Sequence, residues 1–259
     1  MAAFCWSDII KKLGVKSTYM FDLLTMSVSA IGRKIPGFVF HAIGRLLIYN
    51  AISVSKVQIA IGMVVETVIY AICGLTSILL ISSNYNYIYN WMRNPSVLLF
   101  VNIIIIIVVI ILGPKVIHLI LRITNNERYL AELKLNNPFR LVNVIQWFVY
   151  GIIVIFLSSG TVYFIFKSVM DVNNIPFTSI LTSFGFTLFI GPFAVWLPTD
   201  IGLQDGILYL LIKPYVSPST AALLTLISRI WLSLLTILFG LISGIFLNQK
   251  IKLINIFKK

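Results

Sequence analysis

The chain alternates between long apolar runs and short polar or basic segments. Four runs have the roughly 20 or more residues that a helix needs to cross a bilayer. They are residues 57–81, 96–123, 141–169 and 218–247. Strands of a membrane barrel would alternate apolar and polar positions over about ten residues, whereas residues 103–112 are continuously apolar. The pattern predicts an all-α fold, a polytopic membrane helix bundle.

Two further apolar stretches are interrupted near their middle. Residues 17–51 are broken at 32–37 by Gly-Arg-Lys-Ile-Pro-Gly, and residues 176–213 are broken at Pro198. Each half has about 14 residues, fewer than the roughly 20 that a crossing needs. We therefore predict two re-entrant helical hairpins, because irregular backbone at membrane depth persists only where protein or a water-filled cavity covers it.

The two hairpins also suggest an internal repeat. Shifting the chain by 162 residues aligns Pro36 with Pro198 and brings Glu66 to within one position of Arg229. In each copy a hairpin leads into a spanning helix with a charge at similar depth. Inverted repeats whose broken helices meet near the bilayer midplane are typical of transporters. We therefore predict an inverted-repeat arrangement within a single transmembrane domain, residues 17–259.

Composition and charge distribution agree with a membrane protein and indicate its orientation. The chain is 59% hydrophobic and 11% charged, with a net charge of +12, whereas a soluble domain has about 25% charged residues. The segment 122–140 and the basic tail 248–259 are the richest in Lys and Arg, which places both, and the C-terminus, in the cytoplasm. Hairpin 17–51 then enters from the cytoplasm and hairpin 176–213 from outside. Because the basic residues lie between spans, no nucleic-acid partner is expected.

The first residues form a separate short segment. Residues 1–16 read as an N-terminal amphipathic lead with lysines at its end. It does not read as a signal peptide, because its apolar stretch is too short and precedes the lysines.

Two groups of residues carry a resemblance to a known family. The first group is residues 31–37, Gly44, Arg45 and Glu66, and the second is Leu197, Pro198, residues 201–203, Asp205, Gly206 and Arg229. Together they resemble the two signature regions of the lysylphosphatidylglycerol synthase transmembrane-region family. That family includes the flippase half of the multiple peptide resistance factor and stand-alone flippase-like proteins of bacteria and archaea.

The resemblance covers residues 17–247, with departures in the second signature. Thr199 and Asp200 replace a glycine pair there, and Asp205 replaces a glutamate. Residues 17–247 resemble only the membrane region of that family, so no aminoacyltransferase activity is expected of them. The resemblance therefore implies lipid handling rather than lysyl-lipid synthesis, in the plasma membrane of a bacterium or archaeon.

Charged residues near the breaks and within the spans are the candidates for substrate binding. They are Arg33, Lys34, Arg45, Glu66, Asp200, Asp205 and Arg229. Arg45 could bind a lipid phosphate bidentately, and the two aspartates could receive a cationic headgroup or a coupling ion. Structural alternatives remain open, namely a Glu66–Arg229 ion pair, a capping role for Asp200, and headgroup contacts for Arg33 and Lys34.

These features predict a protein that binds and translocates a phospholipid or lipid-linked headgroup between leaflets. The expected ligand is an anionic phospholipid or an aminoacyl or glycosyl lipid. The alternative is a non-catalytic membrane subunit that anchors a separate aminoacyltransferase or glycosyltransferase; an intramembrane enzyme is a third, weaker reading. No catalytic residue, cofactor or metal site is predicted, because phosphate-binding loops and ligand clusters are missing from the sequence.

Overall fold

The structure is a computed structural model that describes residues 1–34, 39–82, 100, 104, 107, 139–169, 174–191 and 202–256. These residues are almost entirely helical and include no strand, which confirms the predicted all-helical fold. The helices are α1 (Ala2–Lys12), α2 (Tyr19–Ile31), α3 (Val39–Asn50), α4 (Lys56–Ser82), α5 (Leu141–Val169), α6 (Phe177–Ile190), α7 (Gln204–Ile212) and α8 (Pro218–Ile256). A 3-10 turn, Gly32–Lys34, follows α2.

Three helices, α4, α5 and α8, are long and apolar enough to cross a membrane. They confirm the predicted runs 57–81, 141–169 and 218–247. Helix α8 is longer than predicted, with 39 residues, or about 58 Å at 1.5 Å per residue. It continues through most of the basic tail because no Gly or Pro interrupts the sequence after residue 247. The predicted run 96–123 lies outside the described residues, except for residues 100, 104 and 107.

Besides α1, which has 11 residues, four of the named helices are too short to cross. Helices α2, α3, α6 and α7 have 13, 12, 14 and 9 residues and occupy the two stretches predicted as hairpins. Helix α2 begins where the Thr18 side chain accepts a hydrogen bond from the Phe21 N–H, a typical N-cap. It ends at Gly32, within the predicted break. The second break, at Pro198, lies outside the described residues.

The N-terminal lead is a structural part of the bundle. Helix α1 packs against α2, α4 and α5. Cys5, Trp6, Ile9 and Ile10 are fully buried, while Lys11 is exposed. Helix α1 therefore places apolar side chains in the protein core and a lysine at the surface.

The most extensive helix contacts join a long helix to a short one from the other end of the chain. Helix α4 packs on α6, and α8 packs on α2. Both contacts rely on glycine: a Cβ on Gly74 would lie 2.5 Å from the Gly185 carbonyl oxygen, and one on Gly240 would lie 2.5 Å from Cγ1 of Ile31. Small residues at such interfaces allow close approach of helix backbones within membranes.

Candidate functional site

An ion pair between Arg45 and Glu66 lies in the protein interior. Arg45 is on α3, in a buried row with His41 and Tyr49, which are spaced at i, i+4 and i+8 and so share a helix face. Glu66 is on the buried face of α4. The Nη1 atom of Arg45 contacts Oε2 of Glu66, and the two side chains are 0% and 8% exposed. The pair joins α3 to α4, the long helix that follows it.

The rest of the Arg45 guanidinium is only partly satisfied. Its Nε donates to Ser29 Oγ at 3.5 Å, and its central carbon, Cζ, lies 4.3 Å from the ring centroid of Trp6. Within the described part of the chain, Arg45 Nη2 and Glu66 Oε1 are both buried without a hydrogen-bond partner. The pair therefore keeps one donor and one acceptor in reserve.

A network of buried polar side chains supports this pair. Trp6 Nε1 donates to the Tyr49 hydroxyl at 2.9 Å, and that hydroxyl donates to Asp22 Oδ1 at 2.7 Å. Ser7 Oγ donates to the other oxygen of Asp22 at 2.5 Å. Because Trp6 also contacts the Arg45 guanidinium, α1 and α2 hold the orientation of Arg45 on α3.

The second ion pair joins Asp205 on α7 to Arg229 on α8. Asp205 Oδ2 lies 3.7 Å from Arg229 Nε, and the side chains are 27% and 14% exposed. The backbone N–H of Gly202 donates to the same carboxylate oxygen at 3.4 Å. Gly202 has φ +104°, a conformation that glycine adopts without steric cost. This pair is looser and more accessible than the pair on α3 and α4.

The other predicted site residues are not brought into either pair within the described residues. Lys34 is half-buried in the 3-10 turn after α2. Arg33 lies in the same turn, but its side chain is outside the described part of the structure, as is Asp200. Arg45 is fully buried against a carboxylate, so the predicted bidentate phosphate contact requires its ion pair to open.

The structural alternative of a Glu66–Arg229 ion pair is not found. Each of the two residues pairs instead with a charge on the short helix before its own long helix. Sequence reasoning also missed Trp6, Asp22 and Tyr49. Asp22 lies in the first turn of α2, where an acidic side chain is ordinary, so nothing local in the sequence indicates its burial.

Metal ligands are not clustered among the residues that the structure describes.

In comparisons with known proteins, no family model, no curated protein and no solved structure matches this chain.

Proposed function

We propose that this protein binds a phospholipid or lipid-linked headgroup and moves it between the leaflets of a membrane. The observation that carries the proposal is the presence of two ion pairs of opposite polarity, each between a short helix and the long apolar helix after it. In one, the cation is on the short helix α3; in the other, the anion is on the short helix α7.

Stability alone is a weak reason to keep such pairs. Burying two charges costs several kcal/mol per ion, of the order of what their mutual attraction returns. Charged residues within membrane helices are therefore rare and usually belong to a substrate or ion path. The reserve donor on Arg45 and the reserve acceptor on Glu66 favour this reading, since both atoms could take a polar ligand when the pair opens.

Helix order and packing support an inverted repeat. The segments α2–α3–α4 and α6–α7–α8 each consist of two short helices followed by a long one. In each segment the short helices contact one another, the second short helix contacts the long one, and the long helix packs on the first short helix of the other segment. In this proposal the short helices form re-entrant hairpins, since 14 residues span only about 21 Å of a roughly 30 Å core.

In this proposal the headgroup binds first at the Asp205–Arg229 pair. Asp205 and Arg229 are partly exposed, and at 3.7 Å their Nε–Oδ2 separation exceeds the usual hydrogen-bond range. A phosphate can displace the carboxylate from Arg229, because guanidinium groups bind phosphate through parallel N–H bonds. A carboxylate has lone pairs for several hydrogen bonds, so Asp205 could also accept one from an amino group of the same headgroup. In the buried pair the cation is on the short helix α3 and the anion is on the long helix α4. This pair would receive the headgroup from the opposite leaflet of the membrane.

The test is lipid movement in vesicles that contain the purified protein. A fluorescent phospholipid is placed in both leaflets, and an impermeant reductant bleaches whichever copies reach the outer one. Arg229→Gln and Asp205→Asn should each slow bleaching of the inner pool about tenfold or more, because a hydrogen bond to a charged group contributes about 1.5–3 kcal/mol and 1.4 kcal/mol is a factor of ten.

The matched control is Lys213→Gln, which removes an exposed charge at the end of α7 and should leave the rate unchanged. Melting temperatures of all variants are compared, so that unfolding is not mistaken for lost transport. Wild-type rates in both pair variants, or no movement above empty vesicles in the unaltered protein, would contradict the proposal. The latter result, with a co-purifying transferase, would favour the anchoring role.

A further inference from the structure

A groove opens between α5 and α8 on the outer surface of the bundle. Its volume is about 730 Å³. Its walls include Thr161, Phe164 and Ser168 from α5 and Ile227, Ile230 and Trp231 from α8. The lining on α5 runs from Thr161 to Val169, about 12 Å along the helix, close to the depth of one leaflet of a roughly 30 Å core.

The groove offers apolar surface even where its residues are polar. Thr161 Oγ1 donates to the Leu157 carbonyl at 2.9 Å, and Ser168 Oγ donates to the Ile165 carbonyl at 2.8 Å. Both hydroxyl hydrogens are thus bound within the helix itself. An occupant that matches this lining is a hydrocarbon chain rather than a polar molecule.

The charged side chain of Lys167 lies beside the groove, near the C-terminal end of α5. Lys167 is adjacent to Ser168 and three residues after Phe164, and its side chain is exposed. Its Nζ lies 5.1 Å from the ring centroid of Tyr163. Among the described residues no carboxylate pairs with Lys167, so its charge can meet an anion at the membrane surface.

We propose that this groove binds one phospholipid with an anionic headgroup, drawn from the leaflet at the C-terminal end of α5. One acyl chain lies in the groove, and the phosphate lies next to Lys167. Apolar contact alone gives little preference over bulk lipid, because lipid tails are as apolar as the side chains. Selectivity for the headgroup therefore comes from Lys167.

Quenching of Trp231 fluorescence by brominated acyl chains tests the site. The protein is placed in phosphatidylcholine vesicles, and brominated phosphatidylglycerol or brominated phosphatidylcholine is then added in increasing fractions. Subtracting the signal of Trp231→Phe isolates the contribution of Trp231. Brominated phosphatidylglycerol should be favoured about fivefold, the factor for about 1 kcal/mol from one lysine near a membrane surface.

Lys167→Gln should abolish that preference. Lys213→Gln is the matched control and should keep the preference. Lys213 also lies over a tyrosine ring, 6.0 Å from the centroid of Tyr209, but unlike Lys167 it is not next in the chain to a residue that lines the groove. Equal quenching by both lipids in the unaltered protein would show ordinary bilayer contact and overturn the proposal, as would an undiminished preference in Lys167→Gln. No lipid movement is measured, so the result is independent of the proposed transport.

Discussion

At the scale of residues, Arg45 shows how a charge can persist inside an apolar bundle. Its guanidinium contacts a carboxylate, a serine hydroxyl and the face of Trp6. The contacts come from three other helices, so the position of Arg45 depends on how those helices pack. Removing either member of its ion pair leaves the other buried without a counter-charge.

We therefore expect Glu66→Gln and Arg45→Gln each to lower the free energy of unfolding by about 3–5 kcal/mol, the usual loss when one partner of a buried pair is removed. The double variant should recover much of this loss, because neither charge then remains. Thermal melting in detergent, measured over the full double-mutant cycle, gives the coupling energy.

The second ion pair provides the comparison. Asp205→Asn and Arg229→Gln should each cost only about 1 kcal/mol, because that pair is longer and partly exposed. If Glu66→Gln proved no more damaging than Asp205→Asn, the buried pair would not have the role assigned to it. A double variant less stable than both singles would lead to the same conclusion.

The charged positions themselves could be predicted from sequence, because a charge within an apolar run stands out. Their partners could not. Glu66 and Arg229 lie at similar depths in two long helices, which favoured pairing them, but α4 packs on α3 and α6 while α8 packs on α2 and α7. Each charge therefore pairs with the helix just before its own, because each long helix packs mainly on the first short helix of the other segment and not on the other long helix.

At the scale of elements, glycines determine how closely the helices approach. Gly185 on α6 lies against Gly74 and Ser77 on α4, so a Cβ at Gly185 would overlap the Ser77 hydroxyl. Gly160 on α5 offers a contrast, since a Cβ there would meet nothing within 4 Å. The same substitution thus has different consequences at two helical positions.

Gly185→Ala should destabilise the protein by about 1–3 kcal/mol, the usual cost of overpacking. Gly160→Ala should be neutral or stabilise by up to about 1 kcal/mol, because alanine has the higher helix propensity. Melting temperatures in detergent measure both. Equal effects at the two sites would mean that α4 and α6 do not pack as closely as described.

Run length predicts α4 and α5 to within a residue at each end, because the length of an apolar run reflects the thickness of the bilayer. The end of α8 was missed because its last turns mix lysines with apolar residues. The α2–α8 contact did have a signal in the sequence. Gly240 and Gly244 form a small-xxx-small motif, a common mark of a close helix contact in membranes.

At the scale of the whole molecule, the proposed inverted repeat places two turns on opposite faces of the membrane. The turn between α3 and α4 contains Ala51, and Ser219 lies just after the turn between α7 and α8; both residues are exposed. The basic segments predict that the first turn is cytoplasmic. The alternation of the spans then predicts that the second turn is outside.

We expect Ser219→Cys to react with an impermeant thiol reagent added to intact cells, and Ala51→Cys to react only after the membrane is opened. The unaltered protein is the control, because Cys5 and Cys73 are both buried and should stay unlabelled. Labelling of both introduced cysteines from the same side would contradict the inverted arrangement.

The packing of α2 on α8 bears on how the protein is made. About 190 residues separate the end of α2 from the start of α8, so at about 5–20 residues per second the ribosome needs roughly 10–40 s to supply the missing partner. During that time α2, with only 13 residues, has neither the length to cross nor its main neighbour. The N-terminal part of the bundle is synthesised first, but its packing is completed only when α8 is added. A nascent chain that stops before α8 therefore leaves α2 without its main packing partner.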